Sequence, residues 1–71
     1  MIRAKDGDER AKVEGKCCRD RGYFESADWH DVEHARKSAT AAVKRGDTEV
    51  RILIQKRRRG RWKFDRWEDA P

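Results

Sequence analysis

No stretch of this chain approaches the ~20 consecutive apolar residues that a membrane-spanning helix needs. Its first residues also lack the apolar segment of roughly 7–15 residues found in a secretory signal. A cytoplasmic protein with no membrane partner is the expectation. Cysteine is nearly missing too: Cys17 and Cys18 are the only two, and as neighbours they cannot close the long loops of a secreted disulfide framework. A reducing compartment fits that usage. Large apolar side chains are few, the main ones being Ile2, Val13, Tyr23, Phe24, Trp29, Val32, Val43, Val50, Ile52, Leu53, Ile54, Trp62, Phe64 and Trp67. A chain of 71 residues buries only about 60% of its unfolded surface, so one small domain spanning 1–71 with a thin core is expected. Help from a partner, a metal or a second copy of the chain would suit such a core.

Catalytic signatures are missing as well. There is no glycine-rich phosphate loop, no Ser/His/Asp arrangement and no paired-carboxylate motif. A thin core leaves little room for the cavity of roughly 300–1,000 Å³ typical of small-molecule sites. The expectation is a protein that is not an enzyme, with no cofactor and no small-molecule substrate. Asp28, Asp31 and Glu33 lie near His30 and His34, but helix N-terminal electrostatics account for those acidic residues.

What the chain has in abundance is charge. Charged residues make up 46% of it and the net charge is +5, with an isoelectric point near 9.6. Three tryptophans and the run Val50, Ile52, Ile54 argue against the disorder that such a composition alone would suggest. The basic excess is local. Residues 51–66 hold Arg51, Lys56, Arg57, Arg58, Arg59, Arg61, Lys63 and Arg66 against Asp65 alone, whereas residues 1–25 are nearly neutral.

Periodicity organises the rest. A helix is expected from about Ala27 to Arg45, with Ser26 as N-cap and Gly46 as its left-handed stop. Acidic residues occupy its first turns, and Lys44 and Arg45 its last. Trp29, Val32, Ala35, Ala39, Ala42 and Val43 fall on one stripe, the face that should meet a sheet. Thr48 to Lys56 alternates as a half-buried strand, and a second strand runs from Arg61 to about Glu68 beyond a turn containing Gly60. A strand near residues 10–18 and a short one at Tyr23-Phe24-Glu25 flank a turn at Asp20-Arg21-Gly22. Met1 to Lys5 either pair at an edge across Asp6-Gly7 or stay loose. The sum is an α+β domain of ββαββ order, one antiparallel sheet of about four strands with a single helix packed on one face.

One helix covers one face of such a sheet. Alternation assigns Trp62 and Phe64 to the inner face with Val50, Ile52 and Ile54. The uncovered face receives Arg51, Leu53, Gln55, Arg61, Lys63 and Trp67, although one bulge would turn Trp67 inward. An apolar patch ringed by cations suits nucleic acid, because cations neutralise phosphates and an exposed aromatic ring can stack a base. The plain alternative is a solvated hairpin tip whose arginines protect a sheet edge. Seven basic residues within positions 56–66 exceed what edge protection needs. The expected contact surface is therefore Arg51, Lys56, Arg57, Arg58, Arg59, Arg61, Lys63, Arg66 and Trp67, and the partner a nucleic acid or nucleoprotein complex. The alternative is a protein-interaction or homo-oligomerising module, a homodimer among them, that buries Leu53 and Trp67 of the open sheet face and keeps the basic hairpin as rim. No helix-turn-helix, zinc-finger or RNP pattern points to base-specific readout.

Cys17, Cys18, His30 and His34 invite a zinc-finger reading. Adjacent cysteines on a strand point to opposite faces, however, and both histidines fall opposite the Val32/Ala39 stripe, toward solvent. No metal site is expected. Finally, the stretch from Tyr23 to Trp67 resembles the small phage-encoded anti-CRISPR proteins of ββαββ build. Glu25-Ser26 opens an alanine-bearing helix (Ala35, Ala39), Val50-Arg51-Ile52 is a strand, and Trp62 follows the turn at Gly60. That resemblance implies an inhibitor that binds a CRISPR surveillance complex and blocks its engagement with target DNA. Arg51, Lys56 to Arg59, Arg61 and Lys63 would be the matching basic surface.

Overall fold

The computed structural model describes residues 5–19 and 22–70. Residues 1–4 of the expected N-terminal edge, and Asp20 and Arg21 of the expected turn, lie outside them. Four strands and one helix follow in the order β1 (Glu9–Lys16), β2 (Tyr23–Glu25), α1 (Val32–Arg45), β3 (Thr48–Arg58) and β4 (Arg61–Asp69). The strands form one antiparallel sheet in the spatial order β2-β1-β3-β4. This is the α+β, ββαββ arrangement read from the sequence. Among the described residues no helix is long and apolar enough to cross a membrane.

The helix begins five residues later than periodicity suggests. Asp31, not Ser26, is the N-cap, and its Oδ1 accepts the His34 amide at 2.7 Å. The cause lies on β1. Three-residue β2 pairs only with Glu14 to Lys16, which leaves the backbone of Ala11 and Val13 without ladder partners on that side, a costly state for buried peptide groups. Residues 26–30 supply them. Ser26 exchanges hydrogen bonds with Val13, its Oγ accepting the Val13 amide at 3.0 Å, and His30 exchanges two backbone bonds with Ala11 at 2.7 and 2.9 Å. Trp29 consequently lies outside the helix and not on its inner stripe. The C-terminus matches expectation: Gly46 has φ 106°, the Gly46 amide bonds Val43 O, and the Asp47 amide bonds Ala42 O, both at 3.1 Å. Those two bonds are a Schellman closure, which glycine enters without steric penalty.

The core is thin. Ala11 and Val13 of β1, Val50, Ile52 and Ile54 of β3, and Ala35, Ala39 and Ala42 of α1 are buried. Phe24, Val32 and Ala70 pack at its margin, whereas Val43 of the expected stripe is left exposed. Alanine on the contacting helix stripe lets its backbone lie close to the sheet. Ile52 and Ile54, fully buried, each contribute about 1.5–3 kcal/mol of hydrophobic stabilisation.

Lengths decide what remains open. Fourteen helical residues span about 21 Å, and eleven residues of β3 about 36 Å. The helix starts beside His30, level with Ala11 and Ile54, which face each other across β1 and β3. The hairpin beyond Gln55 therefore projects past it, giving a molecule 40 Å long and about 20 Å across.

Candidate functional site

The projecting hairpin closes with two left-handed residues, Arg59 (φ 51°) and Gly60 (φ 74°), between the last residue of β3 and the first of β4. This is the two-residue turn whose twist matches antiparallel strands. Asp6 holds it, its Oδ1 accepting the Gly60 amide at 3.0 Å, while the Gly7 amide bonds Arg57 O and the Arg57 amide bonds Asp8 O, each at 2.8 Å.

A bulge then sets which side chains face where. Leu53 opposes Trp67 and Ile54 opposes Arg66, but the next pair is Gln55 with Phe64, so Asp65 is the extra residue on β4. An extra residue reverses the alternation on one side of it. Trp67 stays on the uncovered face, as alternation assigned it. Trp62 and Phe64 do not take the inner positions expected of them: paired with Arg57 and Gln55, they too lie on the uncovered face. Arg61 and Lys63 make the opposite exchange. They oppose Arg58 and Lys56 on the side that carries the helix, beyond its end. The aromatic spacing of two and then three residues in Trp62, Phe64 and Trp67 was the sequence signal for this bulge, since only an inserted residue brings all three to one side.

The uncovered face is accordingly aromatic and cationic together. Arg10 of β1 opposes Gln55 and is clasped between two indoles, its Cζ 4.2 Å from the Trp29 ring centre and 4.5 Å from that of Trp62. Its Nε donates to Gln55 Oε1 at 2.9 Å. Burial lowers its guanidinium from the ordinary pKa, though arginine remains protonated at neutral pH. Lys12 Nζ lies 4.8 Å from the Trp29 ring, and Arg51 Cζ 3.8 Å from that of Trp67. Phe64 and Trp67 meet edge to face at 6.0 Å. Arg10, Lys12 and Trp29 were not among the residues expected here. Their membership depends on residues 26–30 lying along β1, which no local pattern announces.

The eight basic residues expected at the site divide by partner. Arg51 donates to Glu14 at 2.7 Å. Arg66 turns to the helix side and bonds Glu9 at 2.6 Å and also Asp65. Among the described residues Arg57 and Arg58 have carboxylate oxygens only at 3.8 Å, from Asp6 and Asp65, and the buried Nε of Arg57 has no hydrogen-bond partner there. Lys56, Arg59, Arg61 and Lys63 have no ion-pair partner among the described residues. Lys56 directly opposes Lys63, and Arg58 directly opposes Arg61. Like charges placed directly opposite across a ladder destabilise it.

The remaining candidate groups lie apart. His30 and His34 stack at 4.3 Å near the start of the helix, with His34 exposed and His30 half-buried. Cys17 and Cys18 sit at its other end, where the Cys18 amide donates to Asp47 Oδ1 at 2.9 Å and its Sγ approaches Arg45 O at 3.5 Å. The four are not brought together, and among the described residues no three His, Cys, Asp or Glu side chains gather into a metal-holding group. Hydrogen bonding to Asp47 and burial push the Cys18 thiol up, reducing the thiolate that a nucleophile needs. An open depression of about 350 Å³ lies at the base of the sheet, lined by Glu14, Tyr23, Glu49, Val50, Arg51 and Asp69. Glu14 is engaged by Arg51, and Glu49 by Lys16 and Tyr23. Set against known protein families, curated proteins and solved structures, the chain matches none of them.

Proposed function

We propose that this chain is a non-enzymatic binding module that grips nucleic acid, free or within a nucleoprotein complex, with the projecting end of its β3–β4 hairpin. The observation that carries this reading is the pair of like-charged cross-strand contacts, Lys56 with Lys63 and Arg58 with Arg61. They lie on a ribbon beyond the helix, where the nearby carboxylates Asp6, Glu9 and Asp65 are already taken up by the Gly60 amide and by Arg57, Arg58 and Arg66. Such an arrangement costs the free protein stability, and a polyanion relieves that repulsion while its counterions are released. Arg59 at the tip adds a cation that no carboxylate among the described residues neutralises. A cytoplasmic setting agrees with two unpaired cysteines. An inhibitor of the anti-CRISPR kind, blocking target DNA engagement, is the more specific form of the proposal and rests on the resemblance over Tyr23 to Trp67.

Lys63→Glu tests the reading. Facing Lys56, the new carboxylate should stabilise the hairpin by about 0.2–1 kcal/mol. In gel-shift titrations it should nonetheless weaken binding and shallow the dependence on salt by about one phosphate contact. Binding to no nucleic acid even at low salt, or an unchanged affinity in this variant, refutes the proposal. Exposed Phe64 and Trp67 beside Leu53 favour a second reading, a protein-interaction or homo-oligomerising module with the cations as rim. Sedimentation that reports a concentration-independent monomer counts against its self-associating form.

A further inference from the structure

Strand β4 is an edge of the sheet, and along it the two kinds of side chain needed to hold a single strand are separated by alternation. Arg61 and Lys63 point to one side, Trp62 and Phe64 to the other, and among the described residues no strand lies beyond them. The aromatic residues of the uncovered face are not equivalent. Trp29 and Trp62 enclose Arg10, Lys12 also lies against Trp29, Arg51 covers Trp67, and Lys16 approaches Tyr23 at 5.3 Å. Among the described aromatics on that face, Phe64 alone has no cation over its ring. It is also more than half exposed, at 54%, with Trp67 standing edge-on beside it. An aromatic ring left bare on an open sheet face, flanked by a second ring as a wall and by cations across the strand, is a platform for a planar π-system carried on a polyanion.

We infer that the polynucleotide is single-stranded and runs along the β4 edge, one base stacked on Phe64 against the side of Trp67 and its phosphates drawn to Arg61 and Lys63. The inference rests on the nucleic-acid reading above and narrows it. A duplex keeps its base faces inside the stack and offers the edge only phosphates, so it gains from the cations but not from Phe64. A single strand uses both sides of β4 at once. Because the contact takes ring faces and phosphates, which DNA and RNA share, it accepts both. Charge and the bare ring together select this occupant over a peptide: an extended peptide without acidic side chains would leave Arg61 and Lys63 without counter-charge, and an acidic one would leave the Phe64 face unstacked.

Fluorescence anisotropy with labelled oligothymidylate and oligouridylate of about twelve nucleotides, beside a duplex of equal length, tests this. At low salt the single strands should bind roughly ten-fold or more tightly than the duplex. Phe64→Ala should remove roughly ten-fold of single-strand affinity and leave duplex binding unchanged, and Phe64→Tyr, which keeps the ring, should restore it. Phe64 is outside the core, so both variants fold. Equal affinity for duplex and single strand, or indifference to Phe64→Ala, overturns the inference and leaves the broader reading standing. If neither form binds at low salt, the broader reading itself is lost. If Phe64→Ala instead abolishes self-association in sedimentation while nucleic-acid affinity stays, the platform belongs to a second copy of the chain and the inference is overturned.

Discussion

Arg59 holds a left-handed backbone conformation, φ 51°, at the first central position of a turn that asparagine or glycine enters far more readily. A side chain with a β-carbon loses about 1 kcal/mol there. Arg59 is exposed and has no ion-pair partner among the described residues to compensate for this. A residue kept at a strained position without a structural partner points to a use outside the molecule. Arg59→Asn should therefore move two properties in opposite directions, raising the thermal midpoint by an amount corresponding to about 1 kcal/mol and weakening nucleic-acid binding. Thermal melts followed by circular dichroism, with binding titrations on the same preparation, check both. A variant that melts higher and binds as before would leave Arg59 an ordinary exposed turn residue.

Where elements meet, one buried carboxylate does the joining. Asp47 lies between the end of the helix and the start of β3 and accepts from the Cys18 amide and from Arg45. The Arg45 hydrogen bond, then the Cys18 amide, lower its pKa to about 2 from 3.8. A folded pKa below the unfolded one means stability that is complete above pH 3.8 and lost as pH falls through about 2. Asp47→Asn should melt lower than the native chain at pH 5 and show a shallower fall in melting temperature between pH 4 and 2. A parallel fall in the two proteins would place the acid sensitivity elsewhere, with Glu68 the next carboxylate held low by an arginine, Arg36. Elements of this kind were unequally legible in the sequence. Gly46 and Gly60 marked a helix end and a hairpin, because each needs a backbone geometry that few residues adopt. The helix start was ambiguous because Ser26 and Asp31 are both good N-caps. The choice between them is made far along the chain, by the open backbone of Ala11 and Val13. The faces of β4 were misread for a related reason. Strict alternation skips an inserted residue, and only the uneven spacing of Trp62, Phe64 and Trp67 signals Asp65, which inverts everything on its N-terminal side.

At the scale of the whole molecule, the net charge of +5 is not spread over the surface. Lys12, Lys16, Arg36, Arg45 and Arg51 are neutralised by nearby carboxylates, and these pairs lie along the helix and the base of the sheet. Lys56, Arg59, Arg61 and Lys63, which have no ion-pair partner among the described residues, gather at the projecting end of a body 40 Å long, whereas Lys37 and Lys44 stand unpaired and apart on the helix. At physiological ionic strength a charge is screened beyond about 8 Å, so carboxylates at the far end cannot offset the field at the tip. Local charge, and not the net value, should then govern binding. Lys56, Arg59, Arg61 and Lys63 together imply a slope of about −3 for the logarithm of single-strand affinity against the logarithm of salt concentration, each phosphate contact contributing about 0.7. Removing one tip cation, as in Arg61→Gln, should reduce that slope by about 0.7. Removing Lys44, in the last turn of the helix and at the opposite end, changes the net charge equally and should leave the slope as it was. Titrations of the native chain and both variants over a series of salt concentrations decide the matter: equal effects of the two substitutions would mean that the chain attracts polyanions as a diffuse positive body, without a site.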